Sequence, residues 1–145
     1  MNEVTYAFAE SGDESQIREL LIVSGLPEED IHSHVAHFIL AKISGTLVGC
    51  VGLEPAGESA LLRSLAVLPD FRSRGVAGEL CLRIAEHARS RGYRTLYLLT
   101  TTAPDYFQKR GYLPMERNEA PEGIRKTEQF RSLCPSSATL MKTSL

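Results

Sequence analysis

Cysteine is scarce in this chain: Cys50, Cys81 and Cys134 are odd in number and widely spaced. A disulfide frame needs paired cysteines, so these read as reduced thiols and the protein as cytoplasmic. No apolar run reaches the ~18 residues that a membrane span requires. Met1-Asn2-Glu3 lacks a basic stretch followed by an apolar one, so no secretory leader is expected. An excess of one charge is missing too. Sixteen basic against eighteen acidic residues leave a net charge of −2 and a pI near 6.1, which speaks against a broad nucleic-acid-binding face. Repeats, low-complexity tracts and internal linkers are absent. Collagen, coiled coil, a secreted disulfide knot and a membrane protein are all excluded.

What is there suits a single globular domain over residues 1–145. The chain is 43% hydrophobic and 23% charged, and a chain of this length buries roughly two-thirds of its unfolded surface without staples. Val4 to Ala9 alternates Val4, Tyr6 and Phe8 with Thr5 and Ala7 and reads as a strand. Asp13-Glu14-Ser15-Gln16 has capping-box spacing. Ile17, Leu20 and Leu21 share one face of the helix behind it, and Gly25 is placed to stop that helix. A second helix is expected to start within Leu26-Pro27-Glu28-Glu29-Asp30, where proline comes early and acids suit the dipole.

Phe38 to Ile43 and Leu47 to Leu53 are strand-like runs joined by Ser44-Gly45-Thr46. Pro55-Ala56-Gly57-Glu58 reads as a turn before a third run, Ala60 to Leu68. From Gly75 the period becomes helical: Val76, Leu80, Ile84 and His87 or Ala88 line one side up to Arg91, and Gly92 closes it. Thr95 to Leu99 is a short strand, and Ala103 to Arg110 a short helix ended by Gly111. Ile124 to Leu133 is a candidate helix, and Ala138 to Met141 a candidate strand. Because the element types alternate, the fold class is mixed α/β.

The segment richest in chemistry is Leu65-Ala66-Val67-Leu68-Pro69-Asp70-Phe71-Arg72-Ser73-Arg74-Gly75-Val76-Ala77-Gly78. It is a buried strand, a proline stop, a basic turn and then small residues opening a helix. Gly75, Ala77 and Gly78 let an anion approach the backbone, while the N–H groups of a helix start carry the positive end of the dipole. Arg72 and Arg74 add charge there. A diphosphate fits such a turn; a bare strand-to-helix turn is the alternative, since short glycine patterns recur by chance.

Arg72-Ser73-Arg74-Gly75-Val76-Ala77 behind the apolar strand, together with Tyr106-Phe107-Gln108-Lys109-Arg110-Gly111-Tyr112, resembles the GNAT superfamily of acyl-CoA-dependent N-acetyltransferases. The resemblance implies a central mixed, mostly antiparallel sheet whose two middle strands splay, flanked by helices, with acetyl-CoA as co-substrate between them. It implies that Ser73, Arg74, Gly75, Val76, Ala77 and Gly78, with Arg72, cradle the pyrophosphate. Leu65, Ala66 and Val67 would hold the pantetheine arm and acetyl carbonyl, and Thr100 and Phe107 would complete the cofactor-binding set. An amine would then attack the thioester directly, helped by positioning and by N–H donors to the oxyanion.

The pattern also breaks. Where many of these enzymes carry a tyrosine that protonates the departing thiolate, this chain has Phe107, and Tyr106 lies one residue earlier. Tyr106 is a candidate acid only with the helix rotated; otherwise it is core. Thr100 replaces a frequent asparagine. Glu54, ending the second run, is the candidate base, or else a solvated loop carboxylate. Arg63 and Ser64 are candidate substrate-binding residues. An arginine in an apolar strand needs an anion, either a substrate carboxylate or an internal partner, Glu54 or Glu58. His32, His34 and His37 give no clean metal spacing, so no metal is expected. Arg125, Lys126 and Arg131 read as a solvated basic face.

Leu62-Arg63-Ser64-Leu65-Ala66-Val67, Leu98 to Ala103, and the tail from Arg117 through Ala138 look like the small GNAT proteins linked to arsenic resistance. Those are similar to N-acetylglutamate synthases, which implies a small-molecule amine acceptor, an acidic amino acid or a glutamate-like toxic analogue. The other readings are acetylation of a protein or peptide, and an acyl-CoA-binding regulatory module of weak activity. No nucleic-acid or membrane partner is expected, and a homodimer is left open.

Overall fold

The computed structural model describes residues 3–145. Met1 and Asn2, part of the start read above for a leader, lie outside the described residues. Seven strands are β1 (Val4–Phe8), β2 (Phe38–Ile43), β3 (Thr46–Ala56), β4 (Ser59–Val67), β5 (Thr95–Thr100), β6 (Leu113–Met115) and β7 (Thr139–Ser144). Helices are α1 (Glu14–Val23), α2 (Val76–Ser90), α3 (Pro104–Lys109) and α4 (Glu122–Arg125). The strands hydrogen-bond in the order β1-β2-β3-β4-β5-β7-β6. Pairing is antiparallel at β1–β2, β2–β3, β5–β7 and β6–β7, and parallel at β4–β5. That parallel ladder holds only Ala60↔Leu96 and Leu61↔Tyr97. The sheet is the mixed, mostly antiparallel one that the family resemblance implies, within the mixed α/β class that the element order predicts.

The chain divides into two compact units, residues 1–53 with 64–85 and residues 54–63 with 86–145. In the first, Ile17, Leu20 and Leu21 of α1 bury one helical face with Ile31, Phe38, Leu40 and Cys50. Each fully buried aliphatic side chain contributes about 1.5–3 kcal/mol. Two glycines of β3 let this unit close up. A Cβ on Gly49 would sit 3.2 Å from the Val76 and Leu80 side chains, and one on Gly52 would run into the Phe38 ring. In the second unit Ala56, Leu61, Tyr97, Ala120, Ile124 and Leu140 form the core, with Leu99, Met115 and Phe130 against it. Gly123 is required there because a Cβ would collide with the Ala56 carbonyl. No helix among the described residues is long and apolar enough to cross a membrane.

Four local expectations are corrected. The Asp13–Gln16 capping box does not form: the Asp13 carboxylate instead accepts the Glu10 N–H at 2.8 Å and the Lys42 ammonium at 3.2 Å. No α-helix starts in residues 26–30; the chain makes short 3-10 turns at Ile31–Ser33 and Val35–His37. The Glu28 carbonyl accepts the Ile31 N–H at 3.2 Å, an i+3 rather than an i+4 bond, and the Arg18 guanidinium donates to the same carbonyl and to the Glu28 carboxylate. Pro55 and Ala56 belong to β3, and the turn shifts to Gly57, at φ +68°. Residues 124–133 do not form one helix. The Thr127 hydroxyl donates to the Ile124 carbonyl and accepts the Phe130 N–H, closing α4 before a π-helical turn at Gln129–Leu133.

Candidate active site

The expected anion turn lies in the first unit. β4 carries an irregularity at Ser64, whose φ of +59° is left-handed although the residue is not glycine. Such backbone persists inside a strand only when its surroundings enforce it, as at a bulge. Here the Ser64 carbonyl accepts the Cys50 thiol at 3.3 Å. Leu65 is half-buried, Ala66 and Val67 are buried, and the Leu68 N–H donates to the Val48 carbonyl at 2.9 Å.

After Pro69 the chain makes a 3-10 turn and reaches the basic residues. The Arg72 Nε donates to the Val67 carbonyl at 3.0 Å, tying the turn to the strand end. The Arg74 guanidinium lies 5.2 Å from the centre of the Phe71 ring. Ser73 and Gly75 both have left-handed backbone, at φ +65° and +82°. Arg72, Ser73, Arg74 and Gly75 are exposed, whereas Val76 and Gly78 are buried and Ala77 is half-buried. The Glu79 N–H to Gly75 carbonyl bond, 3.0 Å, is the first of α2. The N–H groups of Val76, Ala77 and Gly78 therefore face the open end of a fifteen-residue helix. Alternating left-handed residues before such an end form a concavity lined by N–H groups, suited to an anion.

Thr100 and Phe107 belong to the second unit. The Thr100 hydroxyl accepts the Ala103 N–H at 3.0 Å and so caps the approach to α3. Phe107 is buried, edge-on to Tyr106 (centroids 5.3 Å apart) and to Tyr112 (5.7 Å). Tyr106 is half-buried with the Arg110 guanidinium 5.0 Å from its ring centre, so it shares the aromatic cluster at the end of α3.

Glu54 and Arg63 come together. Both are buried, and the Arg63 Nη1 donates to the Glu54 Oε1 at 2.9 Å. The Arg63 side chain is 0% exposed, so of the two partners expected for it the internal one is formed. Glu54 is no solvated loop carboxylate. It lines an open cleft of about 430 Å³ with Pro55, Ala56, Gly57, Glu122, Gly123, Lys126 and Thr127. Beside it, Glu122, Arg125, Lys126 and Arg131 line a second cleft of about 500 Å³. The tail is held by Arg117, which donates to the Ala138 and Phe130 carbonyls and stacks 4.4 Å from the Phe130 ring centre. The α4 wall was missed as anything beyond a basic face; glycine inside Pro121-Glu122-Gly123-Ile124 was the available signal, marking a close backbone approach. Of the histidines, His32 Nδ1 lies 2.8 Å from Glu14, and His34 Nε2 3.7 Å from Asp30.

The model of the acetyltransferase (GNAT) family matches residues 4–112. An amino-acid acetyltransferase of Ectopseudomonas mendocina is 32% identical over 109 residues, 74% of this chain and 25% of its own. That of Pseudomonas paraeruginosa is 34% identical over 105 residues, 71% of this chain and 24% of its own. The chain thus spans about a quarter of the length of these relatives. Among solved structures, N-acetylglutamate synthase from Neisseria gonorrhoeae, complexed with coenzyme A and N-acetyl-glutamate, superposes with a TM-score of 0.85. It is 25% identical, over 100% of this chain and 36% of that one. Rv2747 from Mycobacterium tuberculosis, in complex with CoA and NLQ, has a TM-score of 0.84 at 20% identity, over 97% and 99% of the two chains.

Proposed function

The chain belongs to the acetyltransferase (GNAT) family, and from that premise we propose that it is an acetyl-CoA-dependent N-acetyltransferase acting on the amine of a small acidic amino acid or a glutamate-like analogue. Residues 1–145 are read as one transferase domain. The observation that carries the reading is the left-handed pair Ser73 and Gly75 opening α2, a seat for the CoA pyrophosphate. Leu65, Ala66 and Val67 would then meet the pantetheine arm. The likeness to a synthase solved with coenzyme A and N-acetyl-glutamate supports both donor and acceptor class.

In the proposed reaction the acceptor nitrogen attacks the thioester carbonyl, the N–C bond forms, the C–S bond breaks to release CoA thiolate, and the nitrogen gives its second proton to water as the amide forms. The ammonium proton must leave first. Glu54 is the candidate base, directly or through water, with one of its oxygens already engaged by Arg63. No tyrosine stands at the Phe107 position to protonate the thiolate, which can leave into water unaided. That buried Phe107 also favours a second reading, an acyl-CoA-binding module of weak activity.

An acceptor screen that follows free CoA thiol tests both. Glutamate, glutamate-like toxic analogues, neutral amino acids and a peptide with a free N-terminus are offered with acetyl-CoA. Thiol release with the acidic amino acids is expected. Thermal stabilisation by acetyl-CoA with no release from any acceptor would leave the module.

A further inference from the structure

Lys126 differs from Arg63 and Arg117, two engaged cations of the same unit. Arg63 is closed to solvent and engaged by Glu54, and Arg117 is engaged by backbone carbonyls and the Phe130 ring. Lys126 is the one cation among the described residues lining the cleft that contains Glu54. It pairs with Glu122, 3.1 Å away and four residues earlier, with both side chains more than 70% exposed. An exposed pair of this kind holds weakly and yields to a better-matched anion. The cleft wall is fixed: Gly123 lies so close to the Ala56 carbonyl that no Cβ fits between them, which fixes α4 against the end of β3. The cleft therefore presents a buried carboxylate within and an ammonium at its rim.

A free amino acid carries the complementary charges, an ammonium and a carboxylate a few ångströms apart. We infer that this cleft is the seat of the acceptor, with Glu54 facing its ammonium and Lys126 facing its carboxylate, so that Lys126 selects carboxylate-bearing acceptors. The inference deepens the proposed transferase reading and rests on it for the chemistry. It gives the substrate carboxylate a cation other than Arg63. The second cleft, where Arg125 and Arg131 join Lys126, extends the cationic wall and suits a side-chain carboxylate over a neutral one.

The test is a KM-against-kcat comparison with L-glutamate and with an amine lacking a carboxylate, in wild type, Lys126→Glu and Lys126→Arg. Lys126→Glu is expected to raise KM for glutamate about tenfold, equivalent to about 1.4 kcal/mol. KM for acetyl-CoA, KM for the uncharged amine and the melting temperature stay within error, and Lys126→Arg restores the glutamate KM. An unchanged glutamate KM in Lys126→Glu overturns the inference. So does a rise for glutamate and uncharged amine alike, which marks a structural role. Calorimetric binding of L-glutamate separates this failure from that of the transferase reading. If wild type releases no thiol yet binds glutamate, and Lys126→Glu weakens that binding, the seat stands and the transferase reading falls. No binding in wild type overturns the seat, while thiol release from any acceptor of the screen keeps the transferase reading.

Discussion

The two compact units dispose of their charged groups in opposite ways. In the first, the charges stay near solvent and are held by short-range partners: Arg18 bridges Glu14 and Glu28, His32 faces Glu14, Lys42 reaches Asp13, and Arg72 and Arg74 flank an exposed turn. Its proposed ligand seat is made of backbone, from the N–H groups at the start of α2. In the second, Glu54 and Arg63 are closed into the interior, and the proposed seat is made of side chains around that pair. A backbone seat tolerates changes in neighbouring side chains but not in φ. A seat built on a buried ion pair tolerates neither partner's loss, because the survivor is left charged and desolvated.

The sharpest way to break this contrast is Arg63→Ala. It leaves the Glu54 carboxylate buried without its guanidinium, and unfolding stability should fall by about 3–5 kcal/mol, read as a lower urea midpoint. Arg63→Lys keeps the charge and loses the planar fork, so it should cost less. In the folded fraction of Arg63→Lys, which keeps a cation beside Glu54, KM for the acceptor is expected to hold. A protein that keeps its stability while KM for glutamate rises tenfold or more would instead make Arg63 the substrate's cation.

The next effect belongs to the first unit. Acetyl-CoA at 100 times its Kd should stabilise the wild type by about 2.7 kcal/mol if it binds only the folded state. Gly75→Gln should abolish the corresponding shift in Tm. Space is not the reason, since a Cβ there meets nothing within 4 Å; the φ of +82° is, because it costs a non-glycine residue about 1–2 kcal/mol and drives the turn out of shape. An undiminished shift in this variant removes the pyrophosphate from the turn. Gly123→Ala should show the converse, with acetyl-CoA binding unchanged and stability lower by about 1–3 kcal/mol as α4 is forced off the Ala56 carbonyl.

The same contrast governs what could be read from the residues. The turn proposed as the backbone seat was legible because glycine and proline punctuate it: Pro69, Gly75 and Gly78 mark strand end, turn and helix start in one short stretch. Strands β2, β4 and β5 and helices α1 and α2 were legible because apolar period follows element type. Side-chain pairings were not. Nothing in the spacing of Glu54 and Arg63 chooses Glu54 over Glu58, since a hairpin register decides which carboxylate faces the guanidinium. The same holds for Asp13, whose carboxylate looked like a helix cap and turned instead to Glu10 and Lys42, a partner on β2. In the tail, a single hydroxyl at Thr127 divides an apparently continuous helix. Propensity sums do not register one such bond.

The smallest expected effect tests whether the first unit's open charges matter at all. The Glu10 N–H, and secondarily the Lys42 ammonium, hold the Asp13 carboxyl below its ordinary 3.8. His32 first and Arg18 second do the same for Glu14, below its ordinary 4.5. A carboxyl with a depressed folded-state pKa binds its proton more readily when unfolded. Its contribution is therefore complete above the unfolded value and disappears as pH falls through the lower, folded one. Unfolding free energy should thus decline below about pH 4, and Asp13→Asn should flatten that decline while lowering stability at pH 7 by under about 1 kcal/mol. Raising salt should shrink the Glu14 part, whose partners lie at the surface. The measurement is a series of urea titrations between pH 3 and 7. Superimposed profiles for wild type and Asp13→Asn would mean that Asp13 stays as free in the folded protein as in the unfolded chain, and that the first unit owes no acid sensitivity to this bond.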